Sequence, residues 1–282
     1  MIILTAAASP SGASPPAVDL HRLATAIRLR AVRMVAAAGF GYLGQALSSA
    51  EQFAAVYGAA ARAGTDRVVC SPGHYVIAAF AAAAELGLMD EAGLAAYGQN
   101  GSPVEAIGTE RTPVLDYTCG SLGQGLSAAA GFALSDRLQG RPDVRTFAFL
   151  SDGELEEGQV WEAAMFAGHH RLSRLTVLVD ANNSQVDGPV DSITTLEPIT
   201  DKWRAFGWEA TDLDGHDVTA LAAALAAAGD AAAGRPQVLV CRTSTRHGLA
   251  CLPPDADGHF IKLPPELAAA AAAELTAGMG PA

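Results

Sequence analysis

The chain has 282 residues, of which 50% are hydrophobic and 17% charged, and carries a formal net charge of −12. That length and apolar content suffice for one large domain with a sizeable core. The acidic balance argues against nucleic acid or an anionic membrane surface as the main partner, so any anionic ligand must be held by local donors or a metal. The four cysteines, Cys70, Cys119, Cys241 and Cys251, form no CxxC pair, which speaks against a zinc site or disulfide framework and fits a reducing cytoplasm. A basic leader region is missing from the N-terminus, and glutamates bound the alanine-rich runs, so no secretory core or membrane span is expected.

In chain order, residues 1–18 carry Pro10, Pro15 and Pro16 among small residues and read as a mobile tail, leaving 19–282 as a single domain. A helix is expected from an Asp19 cap to Ala38, with Gly39 ending it. The glycine-dense stretch Gly39 to Gln45 reads as a loop, and Ser48 to Glu51 as a capping box opening a second helix to Ala61. Arg67 to Val69 is a short strand running into Cys70-Ser71-Pro72-Gly73-His74 and a further helix. Leu94 to Asp116 is polar and without period, the signature of a long ordered loop. Next comes Gly120-Ser121-Leu122-Gly123-Gln124-Gly125, leading into a helix from Leu126 to Gln139. Glycines at a loop-to-helix junction leave N–H groups free for an anion.

The most informative stretch runs from Thr146 to Gly188. A strand (146–150), a turn at Ser151-Asp152-Gly153, an acid-opened helix (about 156–169) and a second strand (175–179) make a βαβ unit, which implies a parallel sheet and right-handed crossover. Asp152 and Asn182 each follow a strand end, where open α/β sheets bind ligands. A carboxylate and an amide oxygen about 30 residues apart suit Mg²⁺ clamping a diphosphate, although Asp-Gly and Asn-Asn are also ordinary turn residues. A short helix within 191–206, a strand at 208–212, a helix from Val218 to Ala233, a buried strand at 237–241 and a tail helix from Pro265 to near Gly278 complete the pattern. The fold expected is α/β, an open, mostly parallel sheet with helices on both faces.

Ser151-Asp152-Gly153, Glu157-Gly158, Asp180-Ala181-Asn182 and the Gly120 to Gly125 string together resemble the thiamine diphosphate signature of the transketolase family, with Ser151 in place of that signature's first glycine. The resemblance implies that Asp152, Asn182 and the main-chain carbonyl of Ser184 bind Mg²⁺. It implies that Gly153 and the backbone of Gly120, Ser121 and Leu122 line the cofactor, that His74 meets the diphosphate, and that His259 reaches both cofactor and substrate. It also sets Glu157 and Glu162 at a subunit interface.

The family's substrate-facing histidines are replaced here by Tyr42 and Arg111, which points to a donor or acceptor other than the usual pentose phosphates. Tyr42 is equally readable as a core-facing tyrosine, Arg111 as an exposed arginine, and His216 as structural. The resemblance covers only the family's diphosphate-binding domain, so the chain is expected to be the N-terminal subunit of a split transketolase. Its partner would carry the pyrimidine-binding and C-terminal domains, in an α₂β₂ assembly that moves a two-carbon ketol unit between a ketose-type donor and an aldehyde. The alternatives are the α subunit of a 2-oxo acid dehydrogenase and a noncatalytic subunit.

Overall fold

The computed structural model describes residues 18–229, 234–254, 256 and 258–279; the proline-rich tail, Val18 apart, lies outside them. Six strands, β1 (Arg67–Pro72), β2 (Tyr117–Cys119), β3 (Thr146–Ser151), β4 (Leu175–Ala181), β5 (Glu209–Asp214) and β6 (Gln237–Arg242), form one sheet in the order β2-β1-β3-β4-β6-β5. Every pairing is parallel, with β3 and β4 in register from Thr146 opposite Leu175 to Ser151 opposite Asp180.

The apolar runs of the central strands serve two cores, because successive side chains point to opposite faces. Val68, Cys70, Phe147, Phe149, Leu178, Leu239 and Cys241 enter one core. Val69, Ala148, Leu150, Val177, Val179, Val238 and Val240 enter the other. The first core is covered by helices α1 (Leu20–Ala38), α2 (Leu43–Ala55), α3 (Val76–Glu85), α9 (Val218–Gly229) and α10 (Pro265–Gly278). Across it Phe53 stacks on Phe149 at 4.0 Å. The second core is covered by α5 (Gly125–Leu138), α6 (Gly158–His169) and α8 (Ile199–Ala205), while the short α4 (Glu91–Ala95) and α7 (Val190–Ile193) lie in connections. Burial on both faces is what a parallel sheet requires of its strands.

Helix α3 is apolar all round, and Val76 through Ala83 are fully buried. Its alanines let neighbouring elements approach closely, which explains a run that resembles a membrane segment only in composition. No helix among the described residues is long and apolar enough to cross a membrane.

The first helix starts as expected: Asp19 accepts the Arg22 N–H, and Gly39, at φ 78°, closes it in the left-handed conformation. The second does not. It begins at Leu43, so Ser48 is an interior residue and no capping box forms. The Ser48 hydroxyl instead donates to Asp180 Oδ2 at 2.5 Å, and Glu51 pairs with Arg28 at 2.5 Å. Position 44 is glycine although it lies in the helix, because a Cβ there would lie 2.0 Å from the carbonyl oxygen of Gly258.

Candidate active site

The sheet order reverses direction between β1 and β3, since β2 lies beyond β1 on one side and β4 beyond β3 on the other. Such a switch point opens a crevice at the carboxyl ends of the strands. Residues after β1, β2, β3, β4 and β6 supply His74, the Gly120 loop, Asp152, Asn182 and Thr243 to that end of the sheet.

Asp152 is nearly buried, at 4% exposure, and its two oxygens accept one main-chain N–H each, from Gly153 at 2.8 Å and Asn183 at 2.6 Å. Asn183 sits at φ 56°, a left-handed conformation that asparagine tolerates, and this turns its N–H toward the carboxylate. Burial, then the neighbouring Asp180, pushes the Asp152 carboxyl up to about 7. Asn182 donates through Nδ2 to Asp180 Oδ2 at 2.6 Å and to the Tyr75 hydroxyl oxygen at 2.9 Å, while its Oδ1 accepts the Ser184 N–H at 2.9 Å. Gly153 has Gln185 Cβ at 3.1 Å from where a side chain would begin, so the turn leaves little room for a larger residue.

Asp180, which ends the apolar run of β4, was not singled out by the sequence beyond the motif that contains it. It is the hub of the site. Its Oδ2 accepts from Ser48 (2.5 Å), Tyr75 (2.8 Å) and Asn182 (2.6 Å), and its Oδ1 from Gln52 (3.0 Å) and Thr243 (2.5 Å). Burial raises its carboxyl pKa, and the hydrogen bonds oppose that rise. With the Asn182 amide nitrogen held against Asp180 and Tyr75, its carbonyl oxygen has a fixed direction.

A second residue missed by the sequence is Glu154, fully buried beneath the glycine loop. Its Oε1 accepts from Ser71 Oγ at 2.5 Å and from the Gly123 N–H at 2.7 Å, and Ser71 Oγ accepts the Gly125 N–H at 2.9 Å. Burial raises the Glu154 carboxyl to about 7. These bonds pin the loop from below, while Gly120 and Ser121 stay exposed and Leu122 half-buried above.

Three of the sequence candidates meet in one aromatic cluster. The Tyr42 ring lies 5.2 Å from His74, 5.7 Å from His259 and 5.3 Å from Phe260, and the two imidazoles are 5.1 Å apart. Gln45 Nε2 lies 3.0 Å from His259 Nδ1. Burial and the neighbouring His259 lower His74 to about 3, so at neutral pH it is an uncharged donor and acceptor. Tyr42 is therefore at the crevice.

Arg111 is exposed and engaged with Glu105 at 2.5 Å, in a loop that reaches the crevice where Gly108 N–H meets the Gly73 carbonyl at 2.8 Å. Glu157 and Glu162 are exposed at and along α6, away from Glu154's enclosed position. His216 pairs with Glu51 rather than with the crevice residues.

Residues 20–271 match the family model described as transketolase, thiamine diphosphate binding domain. The chain belongs to the transketolase family. It is 36% identical over 273 residues to a transketolase family protein of Sinorhizobium fredii, covering 93% of this chain and 97% of that one. It is also 36% identical over 267 residues to the 6-deoxy-6-sulfo-D-fructose transketolase subunit of a Clostridium species, covering 92% and 96%. Transketolase of Leishmania mexicana superposes with a TM-score of 0.81 at 27% identity over 92% of this chain and 41% of its own. Human transketolase is 30% identical over 257 residues, and there the match spans 41% of the longer protein. The fold is accordingly the α/β thiamine diphosphate-binding fold, and the protein is transketolase-like.

Proposed function

We propose that this transketolase-family chain holds the Mg²⁺–diphosphate end of thiamine diphosphate and, with a second chain, transfers a two-carbon ketol unit from a ketose-type donor to an aldehyde. The observation that carries this reading is the end-to-end likeness to a transketolase subunit, 96% of which is covered, against 41% of human transketolase. The second chain would carry the pyrimidine-binding and C-terminal domains, and the assembly would be α₂β₂.

The residues present fit the two groups. Asp152 and Asn182 Oδ1 are hard oxygen donors, and the Ser184 carbonyl is a third, a set that leaves the remaining Mg²⁺ positions for water and diphosphate. Gly120, Ser121 and Leu122 offer an exposed main chain to the cofactor, pinned from below by Glu154. Thiamine diphosphate, when bound, supplies the nucleophilic carbon on which the two-carbon unit travels, which no side chain here offers.

The remaining work falls to side chains of the crevice. His74, uncharged at neutral pH, donates a ring N–H to a phosphate oxygen, and its lowered pKa makes it a hydrogen-bonding group rather than a base. His259, held beside Gln45 with its ring 5.1 Å from that of His74, faces the same space and would carry the proton transfer to and from substrate. Tyr42 and Phe260 bring apolar ring surface to the same space.

Substrate choice departs from the family's usual pair. With Tyr42 in place of one substrate histidine and Arg111 of the other, the donor or acceptor differs from the ordinary pentose phosphates. Relatives named for 6-deoxy-6-sulfo-D-fructose and for apulose-4-phosphate illustrate how far substrates of such subunits range. On α6, Glu162 lies among exposed Met165 (55%) and Phe166 (41%), an apolar and acidic face suited to a subunit contact near Glu157.

Assays of the purified chain with Mg²⁺ and thiamine diphosphate test the reading. No ketol transfer is expected from the chain alone, and transfer is expected once a chain bearing the pyrimidine-binding domain is added. Transfer by the chain alone overturns the two-chain proposal, and xylulose 5-phosphate with ribose 5-phosphate as the best pair overturns the substrate proposal.

A further inference from the structure

Arg28, Glu51, His216 and His247 form a polar cluster outside the crevice. The ligand atoms of Glu51, His216 and His247 lie within 4.8 Å of one another, a donor set that zinc accepts. Two observations speak for a clamp instead. Arg28 already sits 2.5 Å from Glu51 Oε2 with both side chains nearly fully buried, so a dication would meet a fixed positive charge. Both nitrogens of His216 are also engaged: Nδ1 lies 3.2 Å from Glu51 Oε2, and Nε2 accepts the Ser244 N–H at 2.9 Å. The backbone N–H on Nε2 sets the ring proton on Nδ1, which donates it in a hydrogen bond to the Glu51 carboxylate.

We infer that His216 is a positioning residue for His259: it closes a ring of hydrogen bonds that fixes the gap in which the His259 segment is seated. The ring can be followed atom by atom. Asp180 accepts from Ser48 and Gln52 of α2 on one side and from Thr243, just after β6, on the other. Glu51, next to Gln52, meets His216, and His216 holds the N–H of Ser244, next to Thr243. Helix α2 and the segment after β6 are thus tied twice, by Asp180 and by His216.

Gly258 fits between them. A Cβ on Gly44 of α2 would lie 2.0 Å from Gly258 O and 3.2 Å from Thr245 Cβ, and a Cβ on Gly258 would lie 2.5 Å from Thr245 Oγ1. His259 follows directly, its Nδ1 3.0 Å from Gln45 on the same helix. The turn bearing His216 has little play of its own. Its N–H donates to Asp214 Oδ1 at 2.9 Å, a Cβ on Gly215 would lie 2.3 Å from Thr243 Cγ2, and the His247 ring stacks on the imidazole at 3.5 Å. Slack at His216 therefore reaches His259 through backbone packing.

The consequence for catalysis rests on the reading of His259 as a site residue. The test reads where His259 sits rather than turnover, so the clamp and that reading fail separately. Ring nitrogen spectra of the full chain labelled with ¹⁵N-histidine are compared for wild type, His216→Gln and His216→Leu, with amide exchange and melting recorded for each. Wild type is expected to show His216 protonated at Nδ1 and accepting at Nε2.

In His216→Leu the His259 signals shift and Ser244 exchanges roughly tenfold faster, the equivalent of about one lost hydrogen bond, while His169 and His170 on the opposite face keep their signals. His216→Gln, which offers one amide acceptor and donor, falls between the two and carries the comparison if the leucine variant does not fold. Unchanged His259 signals and Ser244 exchange in the substituted chains overturn the inference even where melting falls. Stoichiometric Zn²⁺ binding that moves both the His216 and His247 signals overturns it as well.

Discussion

Replacing Asp152 by asparagine is expected to remove a pH dependence from the stability of the ligand-free chain. The folded-state carboxyl stands at about 7 against an ordinary 3.8, because it is buried beside Asp180. Between these values the folded protein keeps a proton that the unfolded chain has released. The stability this gives is fully present below about pH 4 and is lost as pH rises to about 7, with a slope approaching 1.4 kcal/mol per unit. The full span is on the order of 4 kcal/mol at pH 8.

Asparagine cannot titrate, but its NH₂ faces one of the two main-chain N–H groups that Asp152 accepts, a pH-independent loss of about 1–3 kcal/mol. Urea unfolding of both chains in chelator, from pH 4.5 to 8.5, should therefore give a stability difference that moves in favour of the variant by several kcal/mol across the range. A difference that stays flat with pH refutes the argument that Asp152 is held against its own charge.

Further expectations concern close packing, surface charge and the α6 face. Gly44→Ala gains about 1 kcal/mol in helix propensity but drives a Cβ to 2.0 Å from the Gly258 carbonyl. Overpacking of that kind costs about 1–3 kcal/mol or more, so net destabilisation with disturbed His259 signals is expected, and a higher melting temperature would contradict the packing. Gly131→Ala, with nothing within 4 Å in α5, is the control and should be neutral or stabilising by up to about 1 kcal/mol. Arg111→Ala breaks only an exposed pair with Glu105 and should change stability by less than about 1 kcal/mol, so a marked rise in donor or acceptor KM with unchanged melting would assign it to substrate. Phe166→Asp should leave melting of the isolated chain within about 1 kcal/mol of wild type and weaken subunit association in sedimentation; unaltered association removes α6 from the interface.

The sheet was legible because its strands are buried on both faces: Phe147, Ala148, Phe149 and Leu150 form a continuous apolar run that helps fill two cores. The start of α2 was not, because Gly41 and Gly44 look like loop glycines until Gly258 is known to press on Gly44. That the loops of Asp152 and Asn182 share one crevice was legible from their places at two strand ends, and they meet where the Asn183 N–H reaches Asp152, whereas Asp180 and Glu154 read as ordinary acids at a strand end and a turn. Their role lies in partners that are distant in sequence, Ser48, Gln52, Tyr75 and Thr243 for one, Ser71 and Gly123 for the other. Likewise no spacing rule brings Glu51, His216 and Ser244 together.

In the function proposed for it, this chain itself grips a metal-bound diphosphate through Asp152 and Asn182. Calorimetric titration of thiamine diphosphate into the full chain, with and without Mg²⁺, addresses it most directly. Saturable one-to-one binding that requires Mg²⁺ and is lost in Asp152→Ala and Asn182→Ala is expected. Binding that ignores the metal, or that persists unchanged in both variants, would contradict it.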